Sequence, residues 1–223
     1  MAPFKAALIV VDFQEDFCPP NGSLAVQDGR TIAPKINTLL SLPFSLRIAT
    51  RDWHPEHHIS FASSHESKAP FTSTHTITDP ATGASYTTTL WPDHCVADTA
   101  GAQLVPELDA AAVQLVVDKG KVQDREMYSA FYDPFRHEDS GLASMLWVNG
   151  VTHVYVVGLA FDYCVKATAE HAAEEGYTTY VVGDATKAVF PDKWEDTVKE
   201  LEAKGVTMIT SDAEEIKRVA NKT

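Results

Sequence analysis

The stretch VVGLAFDYCVKATAEHA, residues 156–172, runs from β-branched apolar residues through one glycine into a helix-period pattern, with a lone cysteine, Cys164, at the junction. An unbroken apolar run of this kind suits a strand covered on both faces, and the helix after it supplies the crossover that a parallel sheet requires. The same unit recurs outward from here. KAALIVVDF (5–13), LRIATRD (46–52), VQLVVDKG (113–120), HVYVVGLA (153–160), TTYVVGDA (178–185) and VTMITS (206–211) read as six strands. Between and after them lie helix-period segments: DGRTIAPKINTLLSL (28–42), AGAQLVPEL (100–108), DSGLASMLWVNG (139–150), DYCVKATAEHAAEEG (162–176), DKWEDTVKELEAKG (192–205) and SDAEEIKRVA (211–220). Alternating β and α predicts an α/β fold with a doubly wound, mainly parallel sheet.

At 223 residues, with 44% apolar and 22% charged residues, the chain can bury a sizeable core and lies far from the composition of disordered proteins. No repeat or linker divides it, so residues 1–223 are expected to form one domain carrying a loop insertion at about 52–100. That insertion is rich in His, Ser, Thr and Pro, and a connection so long is seldom idle. Within it, TDPATGASYTTTLWPDH (78–94) reads as a hairpin turning at Thr82–Gly83.

Eighteen Lys and Arg against 31 Asp and Glu leave a formal charge of −13, which argues against nucleic acid and anionic membranes as partners. The three cysteines stand in unrelated contexts, MAPFKAALIVVDF has no secretory pattern, no run approaches the ~20 apolar residues of a membrane span, and the terminal NKT carries no targeting signal. An intracellular protein with reduced thiols is expected.

Ligands of open α/β sheets bind beyond the carboxyl ends of the strands. The first strand ends at Asp12, the second at Asp52 and His54, the third at Asp118 and Lys119, and the fourth at Gly158, just before Cys164. Each has an ordinary explanation alone: Asp12 as a turn cap, Lys119 reaching water along its stem, Cys164 as a small apolar filler. Converged on one crevice, they would form a nucleophile with its activators, the helix N-terminus and Lys119 lowering the thiol's pKa. Asp52 and His54, two apart in extended chain, point the same way; with His94 they would offer a carboxylate and two imidazoles to a transition metal, zinc first and then iron or manganese. His57, His58, His65 and His75 are further candidates. Phe17, Trp91, Tyr128 and Phe131 could wall a flat ring or simply pack the loops.

VVDFQEDFCPPNGSL (10–24), TRDWHPEHHISF (50–61), LWPDHCVADTAGAQL (90–104), VDKGKVQDREMYSAF (117–131) and VVGLAFDYCVKATA (156–169), in this order, resemble the nicotinamidases of the isochorismatase-like cysteine hydrolases over nearly the whole chain. The length of the His-bearing loop and the wording DREMYSAF are more similar to eukaryotic than to shorter bacterial members. The resemblance implies a Rossmann-like three-layer α/β/α fold and hydrolysis of nicotinamide to nicotinate and ammonia in NAD salvage, with pyrazinamide as a further substrate. It implies a triad of Asp12, Lys119 and Cys164 that forms a thioester. It also implies a divalent metal, zinc foremost, on Asp52, His54 and His94, holding the pyridine nitrogen. The oxyanion hole would be the backbone N–H groups of Ala160 and Cys164, with a cis peptide before Ala160, and Phe17, Trp91, Tyr128 and Ala160 would contact the ring. Some bacterial members add a further His; here that spacing falls at Ser60 with His58 nearby, so water or His58 completes the shell. The family's cytoplasmic or nuclear setting and its self-association carry over as expectations, without an interface. The competing readings are an amidase for other amides, a nucleotide-binding module, disfavoured because no G-x-G-x-x-G follows the first strand, and a structural metal protein.

Overall fold

A computed structural model describes residues 3–221; the outermost residues of the N-terminal MAPFK and the C-terminal NKT lie outside the described residues. The six expected strands are present as β1 (Ala6–Val11), β2 (Leu46–Asp52), β5 (Leu115–Lys119), β6 (His153–Leu159), β7 (Thr178–Lys187) and β8 (Thr207–Ile209), all paired parallel in the order β5-β2-β1-β6-β7-β8. Two further strands, β3 (Thr74–Thr78) and β4 (Ser85–Thr89), form a separate antiparallel hairpin inside the long insertion.

Side chains alternate across the sheet, and both faces of its central strands are dry. Leu8 and Val10 of β1 join Tyr155, Val157 and Val182 beneath α1 (Ala33–Leu40) and α5 (Glu214–Ala220). Ile9 and Val11 join Ile48, Val154 and Val156 beneath α2 (Leu142–Val148), α3 (Lys166–Glu174) and α4 (Trp194–Ala203). That two-sided burial is why the strands read as continuous apolar runs rather than as alternating ones. The result is a three-layer α/β/α fold. Among the described residues, no helix is long and apolar enough to cross a membrane.

From the centre of the sheet, the chain leaves β1 towards β2 and β5, then returns to β6 and leaves the other way towards β7 and β8. The carboxyl ends of β1 and β6 therefore flank a switch point, where diverging connections open a crevice. Gly158 makes the approach close: its φ is +107°, and a Cβ there would lie 2.1 Å from the Val11 carbonyl oxygen. No other residue fits that backbone without moving β1.

AGAQLVPEL forms turns instead of the expected helix. Pro106 cannot donate a backbone hydrogen bond, and the carbonyls of Gly101 and Gln103 instead accept from the Asp16 and Glu15 N–H groups. The hairpin occurs as expected, although β3 starts four residues before the quoted segment; its turn is closed by Gly83 N–H donating to the Asp79 carbonyl at 2.8 Å.

Candidate active site

Beyond the carboxyl ends of β1, β2, β5 and β6, the expected triad converges. Asp12 follows β1 with φ +45°, its backbone N–H donating to Thr50 Oγ1 and its Oδ1 accepting the Thr50 hydroxyl at 2.6 Å. Lys119 ends β5 and is fully buried, with Nζ 3.0 Å from Asp12 Oδ2, 2.5 Å from Asp52 Oδ1, 3.1 Å from the Met127 carbonyl and 3.5 Å from Cys164 Sγ. Snorkelling to water is excluded: a buried ammonium persists because carboxylates and a carbonyl replace its hydration. Cys164 lies in a wide π-type turn, Phe161–Val165, between β6 and α3, and the Leu159–Ala160 peptide before that turn is cis, as expected.

Burial pushes the Asp12 carboxyl up to about 6, against the opposing pull of Lys119 and with the neighbouring Asp52 charge adding to the rise. Burial also raises Asp52, yet Lys119 and His54 together hold it well below the ordinary carboxylate range. Cys164 corrects the sequence-based expectation. Burial, reinforced by the Asp12 and Asp52 charges, drives its thiol well above the ordinary range, and Lys119 offsets this only in part. The resting sulfur is thus protonated, and it lies within 4.8 Å of carboxylate oxygens of both Asp12 and Asp52. At neutral pH the arrangement is a thiol beside a charged carboxylate, poised for proton transfer.

One ligand atom each from Asp52, His54 and His94 lies within 4.8 Å of the others, all three residues buried. His54 Nδ1 faces the Gly120 carbonyl at 2.8 Å and His94 Nδ1 the Pro92 carbonyl at 2.7 Å, so each ring donates through Nδ1 and keeps Nε2 for a cation. Burial, with the nearby His54, lowers His94 to about 4, leaving a neutral imidazole, the form that ligates. This donor set fits a divalent cation. Asp12, Asp52 and Cys164 are also mutually close, but the Lys119 ammonium already serves that group. His58 stacks on His54 at 4.1 Å, with both ring nitrogens engaged, by Ser60 Oγ and by the Arg125 carbonyl. Gly120 allows the His54 placement: its φ is +64°, and a Cβ would lie 2.5 Å from His54 Cε1. Gly120→Ala should therefore displace the ring and weaken divalent-metal affinity by about 10- to 100-fold. Competition titration against a chelator checks this; unchanged affinity would show that the contact is not limiting.

A narrow slot opens onto both groups, lined by Phe17, Leu24, Trp91, Tyr128, Ala160, Tyr163 and Val189 above Asp52, His94 and Cys164. The expected ring contacts all lie on it. Phe131 does not; it is fully buried in the core beneath α2 and α3. His57, His65 and His75 stand outside the ligand group.

Several residues here escaped sequence reasoning. Gln14 is fully buried and ties strand ends together, its amide donating to the Asp52 and Ala102 carbonyls while its oxygen accepts from Asp52 N–H. Glu126 is buried with Oε2 unpartnered; burial raises it to about 7 despite the pull of His54 and Lys119. Gln14 sits in the quoted VVDFQED, and its signal was a buried amide directly after a strand; Glu126, in a segment without periodicity, left none.

Residues 6–213 match the isochorismatase domain family. A nicotinamidase of Acinetobacter baylyi is 42% identical over 93% of each chain. The yeast nicotinamidase bound to the inhibitor nicotinaldehyde superposes with a TM-score of 0.88 at 39% identity, covering 92% of this chain and 99% of that one. A pyrazinamidase of Pyrococcus horikoshii in complex with zinc gives 0.71 at 37%, over the same shares. The bacterial relative is thus as similar as the yeast one. Matched across nearly all its length, with the strand-end triad in place, the chain belongs to the isochorismatase domain family.

Proposed function

We propose that the chain is a nicotinamidase, an amide hydrolase converting nicotinamide to nicotinate and ammonia, with pyrazinamide as a second substrate. One observation carries the reading: a single buried ammonium, Lys119, touches Asp12, Asp52 and Cys164 at the floor of an aromatic slot. Likeness to nicotinamidases along the whole chain supports it. The ring would lie among Phe17, Trp91 and Tyr128. Asp52, His54 and His94 would hold a divalent cation, zinc before iron or manganese, which when bound would supply an anchor for the pyridine nitrogen. The thiol proton passes to Asp12 as sulfur adds to the carboxamide carbon, and the N–H groups of Ala160 and Cys164 take up the oxyanion charge. Asp12 returns that proton to departing ammonia, leaving a thioester on Cys164. It then takes a proton from water, whose oxygen adds to the thioester carbon; nicotinate leaves and the thiol is restored. Such a reaction belongs to the salvage of nicotinamide toward NAD. The domain reading follows too: residues 1–223 as one hydrolase domain with the 52–100 insertion bringing His54, Trp91 and His94.

Ammonia release from nicotinamide should be robust, fall away after chelation with the circular dichroism spectrum retained, and return with zinc. Full activity in metal-stripped protein would remove the metal from the scheme, and turnover of other carboxamides but not of nicotinamide would move the reading to another amidase. Because Asp12 must be charged to accept the thiol proton, kcat/KM should fall as pH drops through about 6. A profile flat to pH 5 would argue against Asp12 as the base.

A further inference from the structure

The insertion hairpin touches one wall of the slot. Thr88, buried on β4, places Oγ1 2.7 Å from the Tyr128 hydroxyl, which also accepts the Trp91 Nε1–H at 3.0 Å. Tyr128 and Tyr163 are ring neighbours at 5.4 Å, Trp91 meets Tyr163 edge-on at 4.9 Å, and all three line the slot. The hairpin is itself tied down: Asp79 pairs with His137 at 3.1 Å, and Tyr86 packs on Phe135 at 5.2 Å. A tyrosine has two rotatable side-chain bonds, so a ring held at its far end by two hydrogen bonds has one placement, whereas a ring held by one can swing into the slot.

We infer that Thr88 is a positioning residue that sets the width of the ring slot by latching the Tyr128 hydroxyl, which makes the hairpin a determinant of substrate selectivity. The inference rests on the nicotinamidase reading for its substrate, but not for its geometry.

The test compares Thr88→Val, which keeps the shape and removes the hydroxyl, with Thr88→Ser, which keeps the hydroxyl. Thr88→Val should raise KM for nicotinamide about tenfold, the effect of one buried hydrogen bond, with kcat within about twofold. It should also shrink the preference for nicotinamide over a ring-methylated nicotinamide, and Thr88→Ser should restore both. A merely structural role would lower the melting temperature without moving the preference. Unchanged KM and preference in Thr88→Val, or equal losses in the two variants, would overturn the inference. So would a crystal structure of Thr88→Val with Tyr128 unmoved. Should the unmutated protein fail to hydrolyse nicotinamide, the nicotinamidase reading falls alone, and the Tyr128 position in that crystal structure still decides the latch.

Discussion

Replacing Cys164 with alanine should leave a folded protein that binds nicotinamide and lowers kcat by at least about four orders of magnitude. The expectation follows from what the side chain touches. Only Sγ is lost, from a residue already buried beside Ala160, so the cavity left behind is small and stability should change by about 1 to 2 kcal/mol. The contacts of Lys119 with Asp12 and Asp52 do not involve sulfur and persist. The aromatic walls and the Asp52, His54 and His94 group are likewise untouched, so ring affinity should be retained. What disappears is the atom that forms the acyl bond. Steady-state ammonia release, read beside calorimetric binding of nicotinamide, checks both halves. Residual activity within a hundredfold of the unmutated protein would mean that water attacks the amide directly and that no thioester forms.

The parts of this site that could be read from the sequence are those fixed by strand ends. Asp12 follows the apolar run of β1, Asp52 and Lys119 end β2 and β5, and Cys164 lies in the turn after β6; a parallel sheet lines up such ends whatever the loops do. Residues placed by loops were legible only as candidates among several, as with His94 and Trp91, or not at all, as with Glu126. AGAQLVPEL looked helical because its apolar spacing fits a 3.6 period; its backbone instead hydrogen-bonds to the segment that follows β1, and that competing partner is distant in sequence. The thiol's protonation departs from the expectation for a related reason. Proximity to Lys119 could be anticipated from the strand ends, but the depth of burial depends on the packing of Trp91, Tyr128 and Tyr163 overhead, three rings from three separate segments.

Replacing Lys119 with methionine should damage stability and catalysis together, and its cost should depend on pH. Methionine fills similar space, yet Asp12 and Asp52 would then face each other in the interior with no cation between them. Breaking a buried charge cluster by removing one partner costs about 3 to 5 kcal/mol. Asp12 can relieve this by taking up a proton. Its pKa is raised to about 6 with Lys119 pulling it down, so without the ammonium it must rise further. A carboxyl whose folded pKa exceeds its unfolded value binds more protons when folded, so stability falls as pH rises through the interval between the two. The loss on substitution should therefore exceed its value at pH 5 by at least about 1 kcal/mol at pH 8. The same protonation disables the base: kcat/KM at neutral pH should drop by about 10³-fold, with the acid limb moved above 6. Denaturant unfolding of both proteins at the two pH values, with a pH profile of the residual activity, checks the linkage. Equal stability losses at pH 5 and pH 8 would show that Lys119 does not hold Asp12 in its charged form, and the proton-transfer role assigned to that carboxylate would fall with it.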